Sequence, residues 1–477
     1  MSSKIQLHEL GDFLELPLNA VLATYLPDGE ALLSPVWFEW RDGSFHIITY
    51  KDVKYRNLKR DPRASILVFE NGGINRGIEV RGEVQLDTGN IDEILQRIVK
   101  RYLRAEDRDR YAQLLEGVEL AHIRLEPGKL RVWDHADDEM YPVGGEQDVK
   151  IMKAIRVHKY GGPDELKYER APRPVPQAGE VLVRVLASGV NPVDWKMRQG
   201  LVQAFFSLQF PYIPGGDLAG IVEEVGPGVT GFQKGQKVYG YTAINGKQGS
   251  YAEYTTVPAS SLALMPAALS FLDAASIPTG AATAWQGLFD YGKLQAGQRV
   301  LVLGAAGGVG SFVVQLAHLK GAYVLATASS ENQDYVRSLG ADEVIDYTKV
   351  PPEEITGSIT DAVDLIFDAV GGKTAEQSVR VLRRGGTLVS AVSQPAPELM
   401  EEHGTQGIFF LATITSEILQ AIAALIDEGS VQTPRTTVFP LQEVRQAHEL
   451  SAKAHGGGRI VLQIADEHAL SRDVEQE

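Results

Sequence analysis

The stretch RVLVLGAAGGVGSFVVQLAHLKGAYVLATASS, residues 299–330, decides the fold of the larger part of the chain. An apolar run typical of a buried strand ends in a cluster of small residues, and an apolar helical pattern and a second apolar run follow. The same alternation continues to about residue 430, with DEVIDY, VDLIFDAV and TLVSAV as further strands. It predicts a doubly wound sheet of parallel strands with helices between them.

The turn after the first of these strands reads GAAGGVG, residues 304–310. Small residues there permit a tight turn, a close approach of the backbone to a pyrophosphate, and close packing of helix on strand. Amide groups at the helix start would donate to the phosphates, so Gly307, Gly308 and Val309 are candidate cofactor-binding residues. Ala305 replaces the first glycine of the G-x-G-x-x-G pattern, but strand, turn, helix and strand follow in the right order. The pattern favours a dinucleotide-binding Rossmann domain over a Gly-rich turn with a purely structural role.

The end of the second strand bears on the choice between NAD and NADP. An NAD site places Asp or Glu there, about 20 residues after the glycines, to hold the ribose hydroxyls. This chain reads LATASS at residues 325–330, with no acid until Glu331. The hydroxyls of Ser329 and Ser330 suit a 2′-phosphate because they donate without repelling it, although no Arg or Lys follows directly. The sequence therefore predicts NADPH.

Length, charge and cysteine content limit the classes of function. A chain of 477 residues predicts two or three domains. A net charge of −16 argues against nucleic acid and anionic membranes as partners. Cysteine is absent, which excludes a thiolate zinc site, and none of the ten histidines forms an H-x-x-x-H pair, so we expect no metal. No apolar run approaches the ~20 residues of a membrane span, and the first residues lack a signal-peptide pattern, so we expect a cytoplasmic protein.

Pattern and composition divide the rest of the chain. Residues 1–135 read as short strands with helical spacing at 91–115, which predicts a small barrel with one or two helices. The acidic, Gly- and Pro-containing segment 136–151 has no apolar periodicity and is predicted to be a linker. Residues 152–280 are strand-rich, and the charged tail 467–477 is expected to be disordered.

Seven pieces of the C-terminal two-thirds carry a resemblance to a known family. They occur in order as SGVNPVDWKMRQG, IPGGDLAGIVEEVGPGVTGFQKGQKVYG, GSYAEY, TGAATAWQGL, VLVLGAAGGVGSFVVQLA, SLGADEVIDY and GGGRIVL. Through them residues 152–466 resemble the quinone oxidoreductase branch of the medium-chain dehydrogenase/reductase superfamily. The resemblance implies a GroES-like substrate domain at 152–280, completed by 431–466, and an NADP-binding Rossmann domain at 281–430.

The chain departs from the zinc alcohol dehydrogenases of that superfamily. Those enzymes carry a Cys and a Gly-His-Glu as catalytic zinc ligands, whereas this chain has Gly216 and Asp217 where His and Glu would be, and no Cys. The resemblance then implies a zinc-free enzyme that delivers hydride to an electron-poor small molecule such as a quinone or enone. That reaction needs positioning more than acid–base chemistry, because a conjugated carbonyl already disperses the developing charge.

The resemblance also assigns individual residues. Asn191 and Thr283 should flank the nicotinamide, and Tyr347 should approach the adenosine phosphate together with Ser329 and Ser330. Alternatively, Asn191 caps a turn and Tyr347 is a strand-end aromatic.

No proton donor can be named from the sequence. Tyr212, Tyr241 and Tyr251 lie near the cleft by resemblance and are weak candidates, because each suits the wall of the cleft better than the role of an acid. Asp194 and Lys196 are open to interpretation as a structural pair.

A basic cluster stands out in the first domain. Lys54-Tyr55-Arg56-Asn57-Leu58-Lys59-Arg60 follows a predicted strand in an otherwise acidic protein. With PDGEALLSPVWFEWRDGSFHIITYKDVKYRNLKRDPRASILV and IEVRGEVQL around it, the region resembles the split β-barrel flavin proteins related to pyridoxamine 5′-phosphate oxidase, especially their deazaflavin-using relatives. The resemblance implies that Lys54, Arg56 and Asn57 hold the phosphate of FMN or a deazaflavin, unless Arg56 or Asn57 faces the barrel, and that the backbone of residues 34–37 lies against the flavin ring.

That family places its cofactor between two protomers, which implies a homodimer. Two other interpretations of the chain stay open: a cofactor-free N-terminal dimerisation module attached to the same reductase, and a ligand-binding redox sensor with low turnover.

Overall fold

The computed structural model describes residues 13–14, 16–69, 76–87, 91–115, 117–134, 147–148, 150–203, 208–242, 248–349, 357, 359, 362–453 and 457–465. Two compact units divide the chain. The first comprises Met1–Ala154 and Tyr168–Val175, and the second comprises Ile155–Lys167 and Pro176–Glu477. The predicted linker, apart from residues 147–148 and 150–151, and the predicted disordered tail lie outside the described residues.

The first unit is an antiparallel sheet with three described helices. Its strands are β1 (Asn19–Tyr25), β2 (Ala31–Val36), β3 (Glu39–Arg41), β4 (Ser44–Tyr50), β5 (Arg63–Phe69), β6 (Arg76–Asp87), β7 (Leu120–Asp134) and β8 (Gln147–Asp148). They run in the order β2-β1-β5-β6-β7-β4-β3, with β8 on β7. The helices are Val53–Arg60, Ile91–Tyr102 and Ala105–Leu114.

Alternation of buried and exposed residues, as along β5, turns one face of this sheet toward a core that contains Phe38, Phe45, Ile47 and Ile66. A sheet that curls around such a core is the predicted split barrel.

The remaining strands follow in chain order. They are β9 (Ile151–Arg156), β10 (Lys167–Pro172), β11 (Glu180–Val190), β12 (Asp217–Val225), β13 (Lys237–Tyr241), β14 (Tyr254–Pro258), β15 (Leu262–Leu264), β16 (Arg299–Leu303), β17 (Tyr323–Ala328), β18 (Glu343–Asp346), β19 (Val363–Asp368), β20 (Leu382–Ser390), β21 (Gln406–Phe409), β22 (Thr436–Pro440) and β23 (Arg459–Gln463). β9 and β10 pair with each other.

The second unit contains two larger sheets. One has the order β15-β13-β12-β11-β23-β22 with β14 on β11, so strands from near the end of the chain complete it. The short helix Phe271–Ala275 packs against its strands β11 and β12, and the short helix Pro192–Arg198 follows β11 and packs against the helix Val444–Lys453.

The other sheet is parallel, with the order β18-β17-β16-β19-β20-β21. Counted from β16 this is the order 3-2-1-4-5-6 of a Rossmann sheet, and ligands bind such sheets at the carboxyl ends of the central strands. Helices of this region are Pro278–Trp285, Gly310–Leu319, Gln333–Ser338, Gly372–Ser378, Pro397–His403 and Ser416–Asp427, while Val444–Lys453 packs against β11, β22 and β23 of the other sheet. The predicted fold class, a split β-barrel followed by a GroES-like domain and a Rossmann domain, is confirmed.

Within the described residues, no helix has the length and apolar character needed to cross a membrane.

Candidate cofactor and active sites

The Gly-rich turn links β16 to the helix Gly310–Leu319. Gly304 has φ = 78°, a conformation that favours glycine. A Cβ at Gly310 would lie 2.2 Å from the Gly304 carbonyl oxygen, so this packing of helix on strand requires glycine. The first amide groups of a helix have no intrahelical acceptor and point out of its N-terminus. The turn therefore fits the phosphates of a dinucleotide.

The predicted binding residues Gly307, Gly308 and Val309 lie at this helix start. Gly307 forms an isolated parallel bridge with Gly458. A Cβ at Gly308 would lie 2.0 Å from Arg459 Cδ. Glycine is therefore needed at position 308 to leave space for the Arg459 side chain. The Gly-rich sequence pattern alone does not indicate this requirement.

Arg459 belongs to a buried polar network with Asp217, Asn191 and Thr279. Its Nη2 donates to Asp217 Oδ2 at 2.5 Å, and its Nη1 donates to Asn191 Oδ1 at 2.7 Å. Asn191 Nδ2 donates to Asp217 Oδ2 at 3.0 Å. The Thr279 amide and hydroxyl donate to Asp217 Oδ1 at 3.0 and 2.5 Å. Burial raises the pKa of Asp217 while the Arg459 charge opposes that rise, so the ion pair stabilises the carboxylate form.

Sequence reasoning missed Arg459 and Thr279. The sequence contained one signal for Arg459, which is the arginine at the start of the apolar strand in GGGRIVL. A charged residue is rarely buried unless it is paired, so an arginine in this place indicates an acidic partner. Its partner Asp217 could not be named, since the two residues are far apart in the chain.

Asn191 has the capping role that was the alternative to its predicted place beside the nicotinamide. It caps the helix Pro192–Arg198 in a capping box, in which its own amide donates to Asp194 Oδ2 at 2.8 Å. Its side-chain amide also joins the network, and donates weakly to Thr279 Oγ1 at 3.4 Å. Thr283 lies one helical turn after Thr279 and donates to the Thr279 carbonyl at 2.6 Å. The structure thus brings Asn191 and the Thr283 helix together, while their contact with a nicotinamide stays a prediction.

The position of Gly216 has no room for a metal-binding side chain. A Cβ there would lie 2.2 Å from Tyr241 Cε2, so the tyrosine ring fills the space that a histidine would need. Among the described residues no three His, Cys, Asp or Glu side chains are grouped as metal ligands.

A second buried chain of hydrogen bonds runs beneath Asn191. Tyr251 donates its hydroxyl to Asp194 Oδ2 at 2.9 Å, and His448 Nε2 lies 3.3 Å from the same hydroxyl. Burial raises the pKa of Asp194 to about 7 and lowers the pKa of His448 to about 3. His448 is therefore neutral near pH 7, and burial holds the pKa of the Asp194 carboxyl well above that of an exposed one.

The three tyrosine candidates differ in accessibility. Tyr212 and Tyr251 are 3% and 0% exposed, and burial raises the pKa of both hydroxyls, so neither is an accessible proton donor. Tyr241 is partly exposed and remains a weak candidate for the proton donor, although burial also raises the pKa of its hydroxyl.

The interpretation of Asp194 and Lys196 as a pair is wrong, because the Lys196 ammonium lies over the Trp195 ring, 5.7 Å from its centroid.

The predicted adenosine end lies at the carboxyl ends of β17 and β18. Ser329 Oγ accepts a hydrogen bond from Asn332 Nδ2 at 2.9 Å and so keeps its own proton for another acceptor. Tyr347 is 48% exposed, and its amide donates to the Ala328 carbonyl at 3.3 Å. The structure therefore places Ser329 and Tyr347 side by side at the predicted phosphate site.

Ser330 was predicted to donate to the 2′-phosphate, but its hydroxyl donates to a carboxylate of this chain. Its hydroxyl donates to Asp346 Oδ2 at 2.5 Å. The segment 325–330 itself carries no acid, but the neighbouring strand brings Asp346 to its end.

In the first unit, Lys54 lies at the start of the helix Val53–Arg60. Its ammonium pairs with Asp52, which also caps the helix, and its side chain is 14% exposed. An ammonium donates three hydrogen bonds, so Lys54 retains capacity for a phosphate oxygen. Arg56 is exposed on the same helix, but Asn57 is buried and donates to Thr24 Oγ1 at 3.3 Å. Asn57 therefore faces the barrel, which removes it from the predicted phosphate site.

Residues 34–37 lie at an edge of the first sheet. β2 pairs with β1 alone among the described strands, so its outer backbone groups are open to a ligand or another chain. Trp37 follows this strand and stacks on Tyr102, with ring centroids 5.1 Å apart. An open strand edge next to an aromatic pair suits the planar ring of a cofactor.

Three family models match the chain. The model for pyridoxamine 5′-phosphate oxidase matches residues 7–133, that for the alcohol dehydrogenase GroES-like domain matches 177–267, and that for zinc-binding dehydrogenase matches 339–462.

Several proteins are similar in sequence or structure to about two-thirds of this chain. An NADPH-dependent alkenal/one oxidoreductase of Arabidopsis thaliana is 38% identical over 66% of this chain and 80% of its own length. A quinone oxidoreductase of Mus musculus is 34% identical over 65% of this chain and 96% of its own length. The solved structure of a quinone oxidoreductase from Coxiella burnetii superposes with a TM-score of 0.62 at 32% identity, covering 66% of this chain and all of that one.

A dinucleotide turn, a Rossmann sheet and a GroES-like sheet thus occur together with extensive similarity to quinone and alkenal reductases. The chain is an oxidoreductase that belongs to the quinone oxidoreductase group of the medium-chain dehydrogenase/reductase superfamily, and it carries a pyridoxamine 5′-phosphate oxidase-like domain at its N-terminal end.

Proposed function

We propose that the protein is a zinc-free, NADPH-dependent reductase of quinones, enones and similar electron-poor small molecules. The buried network of Asn191, Asp217, Thr279 and Arg459 beside the dinucleotide turn carries this proposal. By the resemblance, Gly216 and Asp217 stand where the zinc enzymes of the superfamily carry His and Glu, and Asp217 belongs to this network. The names of the similar proteins, an alkenal/one oxidoreductase and quinone oxidoreductases, support this substrate class.

The residues of the chain bind and orient the reactants, and the proton that the reduced acceptor takes up after hydride transfer comes from solvent. NADPH, when bound, supplies a hydride from its nicotinamide. The amides at the start of the helix Gly310–Leu319 hold the pyrophosphate. Hydrogen bonds fix both the backbone and the side chain of Asn191, so this residue forms a rigid surface against which the nicotinamide ring can lie. Such preorganisation favours hydride transfer because the reactants lose little further freedom.

Steady-state kinetics test the reductase activity. NADPH oxidation is followed with a quinone, with an enone, and with a saturated ketone as the matched acceptor without conjugation. We expect turnover with the first two, no turnover with the third, and no loss after exhaustive EDTA treatment. Turnover that EDTA abolishes and zinc restores would assign the chain to the zinc enzymes instead.

For the first domain we propose a flavin-type cofactor, FMN or a deazaflavin, with its phosphate at Lys54 and Arg56. The half-buried ammonium of Lys54, the open edge of β2 and the match to the pyridoxamine 5′-phosphate oxidase model support it. Absorbance between about 400 and 450 nm of the purified protein tests for the cofactor.

We also propose a cytoplasmic homodimer, since the split-barrel flavin proteins that the first domain resembles share their cofactor between two protomers.

One observation favours the alternative of a cofactor-free dimerisation module. Leu33 is 65% exposed on the edge strand β2, and an exposed apolar edge strand is a template for pairing with another chain. A protein that is dimeric in solution but binds neither FMN nor deazaflavin would fit that function.

A further inference from the structure

The acid at the end of β18 changes the electrostatics of the predicted adenosine site. Asp346 lies opposite Ala328 in the parallel register of β17 and β18, so the carboxyl ends of the two strands are neighbours. Its Oδ2 accepts the Ser330 hydroxyl at 2.5 Å. A negative charge therefore lies next to the hydroxyls expected to receive the 2′-phosphate.

Asp346 is held firmly in its charged form. The amide and hydroxyl of Thr348 donate to its Oδ1 at 3.0 and 2.6 Å. Together with Ser330 these donors hold the pKa of the Asp346 carboxyl well below its usual range. The carboxylate thus stays ionised, and it repels a phosphate brought close to it.

Lys349 is placed to offset that repulsion. Its Nζ lies 3.1 Å from Asp346 Oδ2, and its side chain is 71% exposed, so two of its three donors remain available for a ligand. Arg337, on the helix that follows β17, donates to Asp334 and Gln333 instead. Lys349 therefore supplies the positive charge that the residues directly after Ser330 lack.

We propose that Lys349 binds the 2′-phosphate of NADPH and that the Asp346–Lys349 pair sets the preference for NADPH over NADH. This inference rests on the proposed use of NADPH. Ser329 donates to the phosphate, while Ser330 is occupied by Asp346. Asp346 limits the preference, because its charge opposes the phosphate and favours a ribose with free hydroxyls.

Binding of 2′-AMP and 5′-AMP separates the phosphate site from the rest of the cofactor. Dissociation constants of the full-length protein for both nucleotides, NADPH and NADH are measured by calorimetry. Lys349→Gln should weaken 2′-AMP and NADPH by about 5- to 20-fold, because a partly exposed charge-assisted bond is lost. The same variant should change 5′-AMP and NADH by less than about twofold. Asp346→Asn should strengthen 2′-AMP and NADPH relative to 5′-AMP and NADH.

The matched control is Lys234→Gln, which removes the same charge from an exposed turn of the GroES-like region and should leave all four constants unchanged. A Lys349→Gln variant that keeps the wild-type constant for 2′-AMP overturns the inference, and so does one that loses all four ligands equally. A wild-type protein that binds 2′-AMP no better than 5′-AMP contradicts the proposed use of NADPH itself, so the two failures are distinguishable.

Discussion

Arg459 and Asp217 form an ion pair inside the second unit, with Arg459 Nη2 2.5 Å from Asp217 Oδ2 and side-chain exposures of 5% and 0%. The pair joins β23 to β12, two strands separated in the sheet by β11. It also holds the amide of Asn191 and the start of the helix Pro278–Trp285. One ion pair therefore fixes the wall of the predicted nicotinamide site.

Removing one member of this pair should be costly. Arg459→Leu leaves the Asp217 carboxylate buried without its cation, so we expect a loss of about 3–5 kcal/mol in the free energy of unfolding of the second unit. Urea denaturation measures the loss. Arg445→Leu is the control, because Arg445 pairs with Asp164 at the surface and should contribute less than about 1 kcal/mol. An Arg459→Leu variant as stable as the control would show that the buried pair contributes little.

Gly308 should tolerate no side chain. A Cβ there would meet Arg459 Cδ at 2.0 Å, so Gly308→Ala must displace the arginine next to the dinucleotide turn. We expect NADPH affinity to fall by about 10-fold or more, as overpacking of a buried site costs about 1–3 kcal/mol. Fluorescence titration measures the affinity. Gly162→Ala is the control, since a Cβ at Gly162 meets nothing within 4 Å, and unchanged NADPH affinity in Gly308→Ala would contradict the packing account.

Acid should destabilise the first unit. His46 Nδ1 lies 3.0 Å from His122 Nε2, and burial lowers the pKa of His46 to about 4 from its usual 6.5. The unfolded chain then binds more protons than the folded one between these two values, so stability falls as the pH drops from about 6.5 to 4. Thermal melts across this range should show the fall, and it should be smaller in His46→Gln. A melting temperature of the first unit independent of pH there would contradict the assignment, and His158→Gln, at an exposed histidine of the second unit, serves as the control.

Lys54 should matter for a flavin-type cofactor and not for NADPH. Loss of one charge-assisted bond to a phosphate costs on the order of 1.5–3 kcal/mol, so Lys54→Ala should weaken FMN or deazaflavin by roughly 10- to 150-fold. NADPH oxidation should survive if the two sites act independently. Titration of both cofactors checks this against Lys59→Ala, an exposed lysine of the same helix. Equal weakening in both variants would point to general loss of charge rather than to a phosphate contact at Lys54.

How much could be predicted from the sequence depended on the distance between interacting residues. The turn at residues 304–310 was predictable because strand, glycines and helix are contiguous, and Gly310 packs against Gly304 within that segment. The Asp217–Arg459 pair was not, because its members lie 242 residues apart. Asp346 was missed for a related reason, since only the register of β17 and β18 brings it to Ser330.

In the first unit, the direction of the side chains limited how well the cofactor-binding residues could be predicted from the sequence. Lys54 and Asn57 share one short helix, yet one reaches Asp52 at the helix start while the other turns toward Thr24 of β1. A charge run alone does not show which of its members faces the barrel.

Transfer of a labelled hydride tests the central claim most directly. NADPH that carries deuterium at the transferable C4 position is incubated with the full-length protein and an enone, and the product is analysed by mass spectrometry. A reductase of the proposed kind forms a saturated ketone with one deuterium at the carbon β to the carbonyl. An unlabelled product, or NADPH consumption that is the same without the enone, would contradict the account.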